Sequence, residues 1–297
     1  MDIHTELAEH FDRSRDRLRD VAHRMLGSAD EADDAVQEAW LRASRADSSR
    51  VADMTAWLTT IVARVCLDML RSRRRRGEEF AGVAELDQLA PAGGGAGPED
   101  EAVLADSVGL ALLVVLDTLT PAERVAFVLH DLFAVPFDEI AAIVERSLAA
   151  TKKLASRARH RVHGAAPAPT PDLARQREVV DAFLAASRAG DLDALLAVLD
   201  PGVVRRADRV AAPTREALEV RGARRVAEET LTNSGRARHA EPILVDGALG
   251  IVVAPRGRLE LVLLLTVEGD RITRLEAIGD PDRLSRLELS LPGFPGA

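Results

Sequence analysis

Lys152, Lys153, Ser156, Arg157 and Arg159 crowd into eight residues of a 297-residue chain, and together they can do one kind of chemistry. Cationic heads neutralise phosphates, an arginine fork pairs with the O6 and N7 edge of guanine, and a hydroxyl serves either partner. From Arg146 to Arg161 there are six Lys or Arg and no acid. Such a set works only if a helix presents it on one face, and the stretch PFDEIAAIVERSLAATKKLASRARHR (136–161) predicts one. Ile140, Ile143 and Val144 give a first short helix its apolar face, and Glu145-Arg146-Ser147 fits a turn with Ser147 as N-cap. In the second helix Leu148, Thr151, Leu154, Ala158 and Val162 form a docking seam. Ala149, Lys152, Ser156 and Arg159 fall opposite, with Lys153 and His160 beside them. This is the pattern of a helix-turn-helix with a basic recognition helix. Taken alone, the segment reads equally well as a solvated basic helix on an ordinary helical pair.

A second set lies upstream. In the predicted helix TAWLTTIVARVCLDMLRSRRRR, Leu58, Val62, Val65 and Met69 point inward, while Trp57, Thr60, Arg64 and Arg71 share the other face. Arg73 to Arg76, Arg74 among them, extend that face. An indole beside arginines can stack on an unpaired base while the cations hold the backbone; an isolated Trp57 also reads as core. The polar loop before it, RADSSRVAD, offers Asp and Ser side chains to a base edge. Earlier still, Ser28-Ala29-Asp30-Glu31 is a capping-box pattern opening a helix with Ala32, Ala35, Val36, Ala39, Trp40 and Ala43 on its buried stripe. Its outer face is acidic with one apolar residue: Asp33, Asp34, Gln37, Glu38 and Leu41.

The formal net charge is −9, which argues against nucleic acid until its distribution is considered. Residues 64–76 hold six Arg against Asp68 alone, 146–161 add six more cations, and acid gathers at 30–38 and 99–106. Screening over about 8–10 Å makes local patches dominate the average. A single cysteine, Cys66, excludes an internal disulfide and a cysteine-rich zinc site. No apolar run approaches membrane-spanning length and the N-terminus lacks a signal-peptide core, so a cytoplasmic chain without membrane contact is expected. Two stretches punctuate it: APAGGGAGPEDE (90–101), a flexible tether, and GAAPAPTPD (164–172), a stiffer spacer. The expected domains are 1–80, a tether over 81–104, 105–163, the spacer 164–172, and 173–293.

ADEADDAVQEAWLRASR, TAWLTTIVARVCLDMLRSRRRR and LDTLTPAERVAFVLHDLFAVPFDEIAAIVERSLAATKKLASRARHR occur in this order. They resemble bacterial RNA polymerase sigma factors of the extracytoplasmic-function (ECF) type over about the first 163 residues. The resemblance implies two all-α domains, the second carrying the helix-turn-helix, and core RNA polymerase and promoter DNA as partners. It implies that the face of Asp33, Asp34, Gln37, Glu38 and Leu41 binds the clamp of the β′ subunit. The second domain would meet the β flap. Residues 44–54 with Trp57, Thr60, Arg64, Arg71 and Arg74 would melt and read the −10 element. Lys152, Lys153, Ser156, Arg157 and Arg159 would read the −35 element. Val65-Cys66 departs from the family, which often has an Asn nearby, and leaves the −10 preference open.

The remainder differs in kind. RQREVVDAFLAASRAGDLDALLAVLD reads as two amphipathic helices broken at Ala189-Gly190-Asp191. The runs ARHAEPILV, ALGIVVAP, RLELVLLLTV and RITRLEAIG then read as strands of a curved antiparallel sheet. The turns between them are Asp246-Gly247, Pro255-Arg256-Gly257 and Glu268-Gly269-Asp270. With its ending EGDRITRLEAIGDPDRL, this part resembles the α+β, cone-shaped SnoaL-like (NTF2-like) superfamily, which a subgroup of ECF sigma factors carries as a tail. Asp280-Pro281-Asp282-Arg283-Leu284 stands where that subgroup has Asn-Pro-Asp-Lys-Leu and is the expected regulatory contact with the sigma domains. The subgroup's Trp-Leu-Pro-Glu-Pro linker pattern is missing. Its glycine-rich loop after the first strand is replaced by Arg206-Ala207-Asp208-Arg209-Val210-Ala211-Ala212. The reading is a promoter-specificity subunit with a cis-acting tail, no catalytic residue, no cofactor and no metal, and room for a small-molecule ligand in the cone. Its competitor is a SnoaL-like isomerase or cyclase fused to a helix-turn-helix, with Asp208, His239 and Glu276 as acid/base candidates.

Overall fold

A computed structural model describes residues 3–49, 51–81, 107–164, 171–212, 214 and 216–291. Most of the expected tether (82–104) and spacer (165–170) lies outside the described residues. The chain divides into two compact units, Met1–Ala102 with Leu119–Arg159, and Val103–Thr118 with His160–Ala297.

In the first unit α1 (Ile3–Leu26), α2 (Ala29–Ala43) and α3 (Met54–Ala81) pack pairwise. Leu18, Val21, Ala22 and Met25 meet Ala32, Ala35 and Ala39 and then Leu58, Val62, Ala63 and Cys66, all essentially without exposure. Alanine on every buried turn of α2 is what lets three helices approach. Burial pushes the Cys66 thiol far above its ordinary range, so it behaves as a small apolar side chain. Only half of the predicted capping box forms at α2. The Glu31 N–H donates to Ser28 Oγ at 3.4 Å, but the Glu31 carboxylate turns away to pair with Arg73 of α3.

A complete box opens α5 (Pro121–Phe127), where Thr120 and Glu123 exchange backbone and side-chain bonds. The chain continues into a π turn (Val128–Leu132), then α6 (Phe137–Val144) and the start of α7 (Leu148–His163). Ile140, Ile143 and Val144 are buried as predicted. Glu145 closes α6 in the left-handed region at φ 57, and the Ser147 hydroxyl accepts the Ala150 N–H, so the turn and cap stand as read. The seam of α7 needs one correction. Thr151, Ala155, Ala158 and Val162 are buried, whereas Leu148 is 46% exposed. Leu148 is the first residue of its helix, ahead of the turn where the seam begins, and Ala155 takes the buried place.

The second unit is a layer of helices on a seven-stranded sheet of order β2-β1-β6-β5-β4-β3-β7. The strands are β1 (Leu199–Ala207), β2 (Glu219–Arg221), β3 (Ala240–Val245), β4 (Ala248–Val253), β5 (Leu261–Glu268), β6 (Arg271–Ile278) and β7 (Leu289–Ser290). The sheet is mixed rather than antiparallel, because β1 pairs parallel with β6. A parallel neighbour requires a crossover, and the whole run from β2 through β5 intervenes between the two strands. Helices α8 (Pro171–Ala189), α9 (Leu192–Val198) and α10 (Ala223–Thr232) cover one face through Val180, Phe183, Leu195, Val226 and Ala227. They pack on Val203, Leu244, Ile251, Val253 and Leu275. The break between α8 and α9 falls at Gly190, at φ 72, with Asp191 as N-cap.

Strand β3 is buried at every position, so its alternate residues Ile243 and Val245 are covered on the other face as well. The element lying against β3 within this unit is α4 (Ser107–Asp117), which also touches the 3₁₀ turn Pro255–Gly257. Its run Leu110–Leu116 is apolar on all sides, the composition of a helix that must be buried all round. The last turn of α7 joins the same unit where the Leu291 N–H donates to the Val162 carbonyl at 2.8 Å.

Candidate nucleic-acid interface

Helix α7 presents Lys152, Lys153, Ser156 and Arg157 exposed, on the side away from Thr151, Ala155 and Ala158. Two of its cations are held from the side by the π turn and by the first residue of α6. The Lys152 ammonium stands 5.9 Å over the ring of Phe137, which stacks on His130 at 3.8 Å. The Arg159 Nε donates to Asp131 Oδ1 at 2.5 Å, and this side chain is half-buried. A cation over an aromatic face loses little of its charge to the contact, so the surface stays attractive to phosphate. The role of Asp131, His130 and Phe137 in ordering that surface was not legible in the sequence, since 28 residues separate Asp131 from Arg159.

The upstream set sits on α3 as one strip. Trp57 and Thr60 are half-buried, Arg64 and Arg74 exposed and Arg71 half-buried. Thr60 Oγ1 donates back to the Ala56 carbonyl at 3.0 Å. Arg64 is exposed and gives one amino group to the carbonyl of Ala142 on α6 at 3.3 Å. Helix α3 packs against both α5 and α6. In the loop between α2 and α3, Ser48 is buried and Asp47 accepts the Ser49 N–H at 3.0 Å. The Ser49 side chain and backbone hold the Asp47 carboxyl below its usual range. Of the loop's predicted base-edge groups, Ser48 is turned inward and Asp47 and Ser49 face out together.

On α2, Asp33, Asp34, Gln37, Glu38 and Leu41 are all exposed, with Leu41 at 40%. Asp33 pairs with Arg19 of α1 at 2.8 Å and Glu38 with Arg42 at 2.9 Å. Arg42 also reaches Asp68, and its bond to Glu38 raises its pKa first among the causes. Beside this face a groove of 610 Å³ runs between α1 and α2, lined by Phe11, Asp12, Arg15, Asp16, Gln37 and Trp40. Phe11 and Trp40 meet at 4.9 Å, so Trp40 joins its helix stripe by closing against α1.

In the second unit Asp280 caps α11 (Pro281–Leu284) by accepting the Arg283 N–H at 3.0 Å. Asp208, just past β1, accepts four backbone N–H groups, from Val210 and Ala211 on Oδ1 and from Gly279 and Asp280 on Oδ2. Burial pushes its carboxyl upward, but those four donors outweigh it and the pKa is lowered. Arg283 bridges Glu276 at 2.6 Å and Asp208 at 3.7 Å, while Asp282 and Pro281 are exposed. A Cβ on Gly279 would come within 3.1 Å of the Ala211 nitrogen, so the two loops meet backbone to backbone. Asp208 and Glu276 are thus brought together, but as the two anions of an arginine clasp. His239 precedes β3, three strands from β6 in the sheet, and is not part of this cluster. A carboxylate whose lone pairs are filled by backbone donors is a poor general base.

Residues 10–76 match the family described as Sigma-70 region 2, and residues 109–162 match Sigma-70, region 4. The chain is 37% identical to the ECF RNA polymerase sigma factor SigJ of Mycobacterium tuberculosis over 93% of this chain and 92% of the relative. It is 34% identical to the probable ECF RNA polymerase sigma factor SigI of the same species, over 99% of this chain and 100% of the relative. Among solved structures, the crystal structure of M. tuberculosis SigJ aligns over 94% of this chain and 98% of that one, at 32% identity and a TM-score of 0.40.

Proposed function

The chain belongs to the family of ECF RNA polymerase sigma factors, and from that premise we propose how its surfaces divide the work of promoter recognition. The face of Asp33, Asp34, Gln37, Glu38 and Leu41 binds the β′ clamp of core RNA polymerase, and the second helical domain meets the β flap. Trp57, Thr60, Arg64, Arg71 and Arg74 hold the melted −10 strand. Lys152, Lys153, Ser156, Arg157 and Arg159 enter the major groove at the −35 element. The observation that carries this is the order of two cation-bearing helices, α3 and α7, on one chain matched along its length by ECF sigma factors.

The polymerase performs the chemistry and this subunit performs none. The filled lone pairs of Asp208 and the clasp of Glu276 favour that reading over an isomerase or cyclase. Asp33 and Glu38 exchange their exposed arginine partners for clamp cations at little cost, since such surface pairs contribute about 0–1 kcal/mol. Arg64 gives one amino group to the Ala142 carbonyl, and turning its whole guanidinium to DNA gives up that bond between α3 and α6. The SnoaL-like tail acts in cis. Support comes from α4, which falls largely within the region 4 match yet lies on β3 of the tail's sheet.

The test is transcription with purified chain and core enzyme on promoters selected from a randomised library. A transcript that depends on −35 and −10 sequences is expected. If no promoter-dependent transcript appears from the full-length chain or from any tail variant, the assignment fails.

A further inference from the structure

Arg159 stands apart from its neighbours Lys153, Ser156 and Arg157. Lys153, Ser156 and Arg157 make no side-chain hydrogen bond among the described residues, whereas the Arg159 Nε is bound to Asp131 at 2.5 Å. That bond is the only one Arg159 makes there, so its two terminal amino groups, which form the end-on fork of the guanidinium, have no protein partner. The Asp131 side chain is 18% exposed and that of Arg159 38%, so the acid is the more enclosed member. Asp131 lies in the π turn Val128–Leu132, which runs straight on from α5, and π turns of this kind recur at functional sites.

An acid in this place needs a reason. The helix it faces has no acidic residue from Arg146 to Arg161. A lone carboxylate beside a phosphate-binding surface costs general affinity for DNA. What it gives in return is order. A charge-assisted bond at Nε fixes the plane of the guanidinium and leaves the fork whose geometry matches O6 and N7 of guanine. An arginine already held in one rotamer loses less freedom on binding.

Resting on the reading of α7 as the −35 helix, we propose that Asp131 is a positioning residue for base readout: it holds Arg159 so that its terminal fork reads one guanine of the −35 element. Lys153 and Arg157, without such a partner, serve phosphates.

The test uses the full-length chain with core polymerase on −35 duplexes selected by the unmodified protein, each guanine replaced in turn by 7-deazaguanine. Arg159→Ala should lose preference at one guanine by on the order of tenfold. Asp131→Ala should lose preference at the same guanine, while its affinity for random-sequence duplex holds or rises because a negative charge has left the surface. Asp131→Asn, whose amide oxygen still accepts from Nε, should keep part of the preference. Should Arg159→Ala abolish the guanine preference and Asp131→Ala leave it intact, the positioning role is overturned while Arg159 remains a reader. Uniform weakening by Asp131→Ala at every position, with a lowered melting temperature, also overturns it in favour of a structural role. No effect of Arg159→Ala at any position overturns the reading of Arg159 itself, and this proposal with it.

Discussion

At the scale of single residues, Asp208 of the tail is a carboxylate filled by backbone donors, two on each oxygen. Its two oxygens tie the 208–212 loop to the Gly279-Asp280 corner, and Arg283 completes the clasp. The sign of its titration follows. With the folded pKa below the unfolded value of about 3.9, the stabilisation is fully present above that pH and is lost as the pH falls through the folded pKa. Asp208→Asn cannot satisfy four donors with one amide oxygen and should destabilise the chain by about 1–3 kcal/mol at neutral pH. Chemical denaturation should show that loss at pH 7 and a smaller difference from the unmodified protein below about pH 4. Equal stability at pH 7 would mean the loops are held by packing alone. The same bonds bear on Asp282 and Arg283, which the sequence marks as one contact motif. Arg283 is already engaged inside its own domain, whereas Asp282 is exposed and available for a partner.

At the scale of elements, two arginines finish helix α1, and one of them, Arg73, turns back to it rather than extending the outer face of α3 as its spacing predicts. Arg124 of α5, itself buried, donates to the Met25 carbonyl at 3.0 Å, and Arg73 of α3 donates to the Leu26 carbonyl at 3.3 Å. The last carbonyls of a helix have no partner within it, and cations there also meet the negative end of its dipole. Met25 lies in the region 2 match and Arg124 in the region 4 match, so this bond joins the two in the closed arrangement. Arg124→Ala should lower stability by about 1.5–3 kcal/mol, the range for a bond to a charged group. It should also tighten core polymerase binding, because less of the chain must be opened first. A fluorescence titration with core enzyme checks this, and unchanged or weaker affinity would show that the bond does not restrain opening.

The elements also show why legibility was uneven. Stripes such as Ala32-Ala35-Ala39 and Thr151-Ala158-Val162 announce their helices because period and burial coincide. The parallel pairing of β1 with β6, the two-residue β7 and the three-residue β2 carry no such signal, since pairing partners far apart in sequence leave no local pattern. The exposure of Lys152, Lys153, Ser156 and Arg157 on one side of α7 was readable from the helical period. The supporting shell of Asp131, His130 and Phe137 was not, because it comes from another element and was indistinguishable in sequence from a helix end.

At the scale of the whole molecule, the telling feature is α4. Leu110 to Leu116 carry no polar side chain, and a helix so composed cannot stand in water on its own. Within its unit it lies on β3, whose Ile243 and Val245 are buried on the face that α8–α10 do not cover. A tail that covers part of the region 4 match does not behave as a detachable passenger. Ending the chain after residue 164 would remove β3 and bare the side of α4 that rests on it. Apolar burial contributes roughly 25 cal/mol per Å², so baring even a few leucines loses several kcal/mol. The truncated protein should therefore bind more of a hydrophobic dye, associate at lower concentration and give altered promoter output with core enzyme. Substituting the exposed Asp282 by Ala in the full-length chain, which keeps the Arg283 clasp, separates the two effects. If the tail acts through that corner, output should change while dye binding stays at the level of the unmodified protein. Equal transcription by the full-length, truncated and substituted proteins would show that the tail does not regulate in cis, whatever α4 rests against.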